Sequence, residues 1–90
     1  MDQRVKVIVE YLNRARVRAT YGAVGEAIGI NAQSVGRLLG VRCPRASWVV
    51  LKKSGEPSGY MESQKHPDLH HTLEIISSGS DLARRMKAAG

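Results

Sequence analysis

The stretch Thr20–Gly40, TYGAVGEAIGINAQSVGRLLG, carries five glycines yet keeps its apolar residues at helical spacing. Glycine costs about 1 kcal/mol against alanine in a helix interior, so a chain built only for helix stability would use it less. The glycines fall at informative places. Thr20 suits a helix N-cap, Tyr21–Ile28 reads as two turns of helix, and Gly29 can end them in the left-handed conformation. Asn31 can cap a second helix, Ala32–Leu39, which Gly40 terminates. Val24, Ile28, Ile30, Val35 and Leu38 then line the crevice between two short helices, and Gly25 lets them pack closely. Gly22 and Gly36 are left for close approach of a backbone or a groove. A small residue in the first helix, a glycine four residues later and a β-branched residue six further on is helix-turn-helix spacing.

Outward from this stretch, Asp2–Ala15 reads as a helix, with Val5, Ile8, Val9 and Leu12 at i, i+3, i+4 and i+7 on one face. Asp2 suits the positive end of its dipole. Arg14–Ala19, RARVRA, is where this helix ends and the chain extends. On the other side, Pro44 stops the second helix from continuing. Ser47–Leu51 is rich in β-formers, and KKSGEPSG supplies turn residues before Tyr60. A strand, a Lys-rich turn and a return strand after a helix-turn-helix would make a β-hairpin wing with Lys52 and Lys53 at its tip. In the tail, HPDLHH suggests a short helix from Pro67. Leu73–Ile76 reads as the end of that helix or a short strand, and Ser80 as the cap of a terminal helix through Ala88.

The expected fold is therefore α+β, mainly α: a single domain, 1–90, built as a winged helix-turn-helix. Its parts are an N-terminal helix and connector (1–19), the helix-turn-helix (20–40), the wing (41–60) and a C-terminal closing segment (61–90). Ninety residues suffice for one modest core. No apolar run approaches the ~20 residues that span a bilayer, the first residues lack a signal-peptide pattern, and one cysteine allows no internal disulfide. The expectation is a cytoplasmic protein with no membrane partner.

Charge narrows the function. The net charge is +6, and residues 61–90 contribute nothing to it. Between Arg14 and Lys53 eight basic residues face one acid, Glu26. Such a concentrated positive field suits a polyanion, usually nucleic acid. With one Trp, three Tyr and no Phe, a stacking platform for single strands is not expected, which favours duplex DNA.

The run Tyr21–Tyr60 resembles the DNA-binding domain of the O6-alkylguanine-DNA alkyltransferases and of their non-catalytic relatives, the alkyltransferase-like proteins. The matching residues are Tyr21-Gly22, then AQSVGRLLG, Trp48-Val49-Val50 and Gly59-Tyr60, about forty of the ninety residues. The resemblance implies a minor-groove helix and a phosphate-steering tyrosine at Tyr21. Gln33 stands where the family has the arginine that fills the gap left by a flipped base. The family's Pro-Cys-His-Arg is here Arg45, Ala46, Ser47 and Trp48, so its cysteine and histidine are both missing. Trp48 is expected to pack beneath the wing.

Two other constellations in the sequence carry possible chemistry. Cys43 sits between Arg42 and Arg45, which favours a thiolate, but no histidine lies within twenty residues and Cys43-Pro44 suits a structural hinge. His66, His70 and His71 include His-x-x-x-His spacing, imaginable for zinc with Asp68, though exposed tail histidines are the favoured reading. Glu26 and Glu56 read as isolated surface residues.

The resulting expectation is a duplex-DNA-binding protein without catalysis, cofactor or metal, sensing lesions in DNA repair or acting as a small regulator. Base edges would be read by Asn31 and Gln33, and phosphates met by Ser34, Arg37, Thr20, Tyr21, Arg42, Arg45, Lys52 and Lys53. Six cationic contacts would give a slope of log affinity against log salt of about −5. The alternative is a protein-interaction module whose basic surface takes an acidic partner.

Overall fold

The computed structural model describes residues 1–90. The fold has four helices and a three-stranded sheet: α1 Gln3–Ala15, β1 Arg18–Thr20, α2 Tyr21–Ile28, α3 Ala32–Leu39, β2 Val49–Val50, β3 Ile75–Ile76 and α4 Gly79–Ala89. The molecule is thus α+β with helix predominating. No helix is long and apolar enough to cross a membrane.

Each helix starts where a short polar side chain can serve its free N–H groups. Asp2 accepts from Arg4 and Val5, Thr20 from Ala23, Asn31 from Ser34, and Ser78 from Asp81. The cap of α4 is Ser78, two residues before the expected Ser80. α1 ends at Arg16, whose φ of 58° is the left-handed conformation otherwise taken only by glycines in this chain. Val5, Ile8, Val9 and Leu12 of α1 are buried as their spacing predicts, whereas Val7 on the opposite face is exposed. Val24 of α2 and Val35 of α3 are fully buried in the same core. Ile28, Ile30 and Leu38 close its edges, half-buried. At Gly25 a Cβ would lie 2.5 Å from the carbonyl oxygen of Ile30. Only glycine allows the turn between α2 and α3 to fold back this tightly.

The sheet departs from the expected hairpin. Its order is β2-β1-β3 and both pairings are parallel, Ala19 opposite Val49 and Arg18 opposite Ile75. No return strand follows β2. After Val50 the chain closes on itself, Leu51 N–H donating to Glu56 and Gly55 N–H to Leu51. Gly55 and Gly59 both take positive φ, and Pro57 has no N–H to give a ladder. Residues 51–60 therefore form a compact loop in place of a β-hairpin.

The tail contributes to the core. Pro67–His70 is a turn, with no helix there. Leu69, Ile76 and Leu82 are fully buried, and α4 packs along α2. Glu26, expected as a bystander, accepts the Gly79 N–H at the start of α4 through Oε1 at 2.7 Å. Glu56 is likewise engaged, with Lys65 at 2.8 Å and with His70. Trp48 is buried completely, its Nε1 donating to Asn13 at 3.0 Å, and the His66 ring lies on it with centroids 4.9 Å apart.

Candidate functional site

α3 is amphipathic in a particular way. Val35 and Leu39 face the core, whereas Ala32, Gln33, Gly36, Arg37 and the following Gly40 are exposed. Ala32, Gly36 and Gly40 recur every four residues, so one strip of the helix surface is nearly bare backbone, flanked by Gln33 and Arg37. Nothing in the chain lies within 4 Å of where a Cβ on Gly36 would sit. Internal packing does not require a glycine there, and its helix cost goes unreturned within the fold.

This strip forms one wall of a cleft of about 610 Å³. The opposite wall comes from Arg42, Leu51, Ser58 and Tyr60, with Tyr21 at the base of α2 between them. The Tyr21 hydroxyl accepts from the Ser58 N–H at 3.3 Å, and Arg42 Nε donates to the Ser58 carbonyl at 3.3 Å. The 51–60 loop is thereby fastened to both α2 and the segment after α3. Burial raises the pKa of the Tyr60 phenol, partly offset by a hydrogen bond from the Cys43 backbone, so the phenol stays protonated and able to donate.

The structure brings most of the expected residues together, and removes two. Tyr21, Gln33, Arg37 and Arg42 line the cleft, while Lys52 and Lys53, which follow the lining residue Leu51 in the chain, are exposed. Thr20, expected on phosphate, is only 4 % exposed and its Oγ1 is taken by the Ala23 N–H at 3.0 Å. Helix capping has claimed the side chain. Arg45 faces the other way, pairing with Glu10 of α1 at 3.7 Å and lining a separate small cleft with Met1, Gln3 and Lys6. Asn31 is exposed, but its Oδ1 accepts the Ser34 N–H at 2.8 Å, which leaves Gln33 the freer amide. Ser34 is half-buried, its hydroxyl 3.5 Å from Arg37. Sequence reasoning did not place Leu51, Ser58 and Tyr60 in the site. The Gly59-Tyr60 pair was the available signal for the last of these.

The ion pairs sharpen the electrostatics. Seven of the eight carboxylates have a cationic partner within 4.0 Å and Glu26 serves the α4 backbone. Eight basic side chains have no acidic partner: Arg37 and Arg42 in the cleft, Lys52 and Lys53 next to Leu51, and Lys6, Arg14, Arg18 and Lys87. The histidines are occupied elsewhere: His66 with Arg16, His70 with Glu56 and His71 with Asp68. None is hydrogen-bonded to the half-buried Cys43.

Fold and site together define a small α+β domain that presents an unpaired cationic cleft beside an exposed helix. No family model matches the chain, and neither a curated protein nor a solved structure does.

Proposed function

We propose that the protein binds duplex DNA through the exposed strip of α3 and the rim of the adjoining cleft, without catalysis. In this reading α2 and α3 act as a helix-turn-helix and the 51–60 loop takes the place of a wing. The observation that carries it is the nearly bare strip Ala32–Gly36–Gly40 sharing a cleft with Arg37 and Arg42, neither of which has a carboxylate partner. Exposed Lys52 and Lys53 follow the lining residue Leu51. A strip without side chains admits a groove wall to the helix backbone, and unpaired cations meet phosphate without first breaking an internal pair. Gln33 is the base-reading residue, since its amide can both donate and accept at a base edge. Arg37, Arg42, Lys52 and Lys53 neutralise phosphate, and Tyr21 and Tyr60 offer hydroxyls inside the cleft. The resemblance to alkyltransferase-like proteins makes alkylated guanine the lesion to try, with DNA repair the setting in the cytoplasm. The engagement of all three histidines away from Cys43 supports a role without covalent chemistry.

A second reading, capture of an acidic protein, is favoured by one observation. Val41 and Met61, 85 % and 66 % exposed, directly adjoin the cleft residues Arg42 and Tyr60. Fluorescence anisotropy with labelled random duplex, the same duplex carrying one O6-alkylguanine, and an acidic peptide decides among these. Equal binding to both duplexes indicates general or regulatory DNA binding, and preference for the lesion indicates damage sensing. Binding to the peptide alone removes DNA from the account.

A further inference from the structure

Arg18 is the third arginine of RARVRA and differs from the other two. Arg14 is exposed, and Arg16 reaches His66 and Asp68. Arg18 lies on β1, the central strand, and is 6 % exposed. It has no carboxylate partner. Its Nη1 donates to the Gly55 carbonyl at 2.9 Å, its Nη2 to the Thr72 carbonyl at 2.8 Å, and its buried Nε has no partner at all. A guanidinium buried on carbonyls alone is a poor way to gain stability, because desolvation of the charge is only partly offset. A hydrophobic side chain of similar length would fill the same space.

What the side chain does achieve is to hold the 51–60 loop at its middle. Gly55 is buried, takes φ +72°, and would place a Cβ 3.2 Å from Ile75 Cδ1 and 3.4 Å from Arg18 Nη1, so a glycine suits this anchor point. To one side of this anchor lie Lys52 and Lys53. To the other lie Ser58, which bonds Tyr21 and Arg42, and Tyr60 in the cleft wall. Glu56, next to the anchor, is held from outside by Lys65 and His70. We propose that Arg18 is a positioning residue for the cleft: it touches no ligand, and it fixes the loop that carries two of the phosphate-binding lysines and one cleft wall. The affinity part of this rests on the DNA reading above.

Arg18→Met and Arg18→Lys separate positioning from simple stability. In Arg18→Met the melting temperature is unchanged or higher. The amides of Leu51 and Gly55, both hydrogen-bonded within the loop, exchange with deuterium about tenfold faster, while those of α2 do not change. Affinity for random duplex falls about fivefold because the loop must be ordered on binding, and the salt slope is unaltered. Arg18→Lys, which keeps the charge but reaches one carbonyl at a time, lies between and serves if the methionine variant does not fold. Unchanged loop exchange, or faster exchange with full affinity, overturns the proposal. A salt slope shallower by about one makes Arg18 a phosphate contact instead and also overturns it. If the unaltered protein binds no duplex, the DNA reading falls on its own, and the exchange measurement still decides whether Arg18 holds the loop.

Discussion

Gly36 and Gly25 are the same residue type on neighbouring helices, and the fold asks opposite things of them. Gly25 sits against the Ile30 carbonyl, so Gly25→Ala must push α2 and α3 apart. A loss of about 1–3 kcal/mol is expected in chemical denaturation. Gly36 meets nothing, so Gly36→Ala should raise stability by about 0.5–1 kcal/mol, the intrinsic gain of alanine in a helix. If α3 lies against a groove wall, the added methyl costs duplex affinity several-fold in the same variant. A rise in stability with no loss of affinity would falsify the groove-facing role of this strip. Gln33→Ala is the companion change: it lies on the exposed face, so melting should be unmoved while binding weakens.

The helices were legible in the sequence because everything that makes them is local. The 3.6-residue spacing of Val5, Ile8, Val9 and Leu12 and the caps Thr20, Gly29 and Asn31 sit within a few residues of the elements they define. The sheet was not, because its strands are two or three residues long and carry no readable period. β1 finds partners some thirty and fifty-five residues further on, and parallel pairing leaves no turn signature between them. That is why Ser47–Leu51 reads from sequence as half a hairpin and Leu73–Ile76 as either a helix end or a short strand. The same non-locality hid the strap from Met61 to Thr72, which gains its place by laying His66 on Trp48. Burial first, and then the Arg16 charge, lowers the pKa of His66 below the ordinary histidine value of 6.5. The folded chain binds this proton less readily than the unfolded chain. The stabilisation is therefore complete above about pH 6.5 and is lost as pH falls through the lowered folded value. Asp2, Glu56, Glu74 and Asp81, held low chiefly by hydrogen bonds from Arg4, Lys65, Arg85 and Arg84 respectively, add a separate loss only below about pH 4.5. Melting curves from pH 7.5 to 3.5 should show two steps, and His66→Gln should remove the first. Persistence of the upper step in that variant assigns it to a different group.

Across the whole molecule, which has a net charge of +6, the acids engage only six of the fourteen basic side chains. Glu10 faces Arg45, Asp68 faces Arg16, Glu56 and Glu62 share Lys65, and Glu74 and Asp81 converge on Arg85. These pairs are mostly exposed and add little stability each. They leave Arg37 and Arg42 in the cleft, and Lys52 and Lys53 next to the lining residue Leu51, without a carboxylate partner, as they also leave Lys6, Arg14 and Lys87. Because Arg45 turns away toward α1, four of the five cations named for the phosphate backbone remain. The slope of log affinity against log salt should accordingly be about −3.5, at 0.9 per neutralised phosphate. Replacing Lys52 and Lys53 together with serine should bring it to about −1.8. Lys6→Ser changes the net charge as well, but on the small cleft beside α1, and should leave the slope alone. If removing Lys6 flattens the slope as much as removing Lys52 or Lys53, the overall charge drives binding and the cleft has no special part in it.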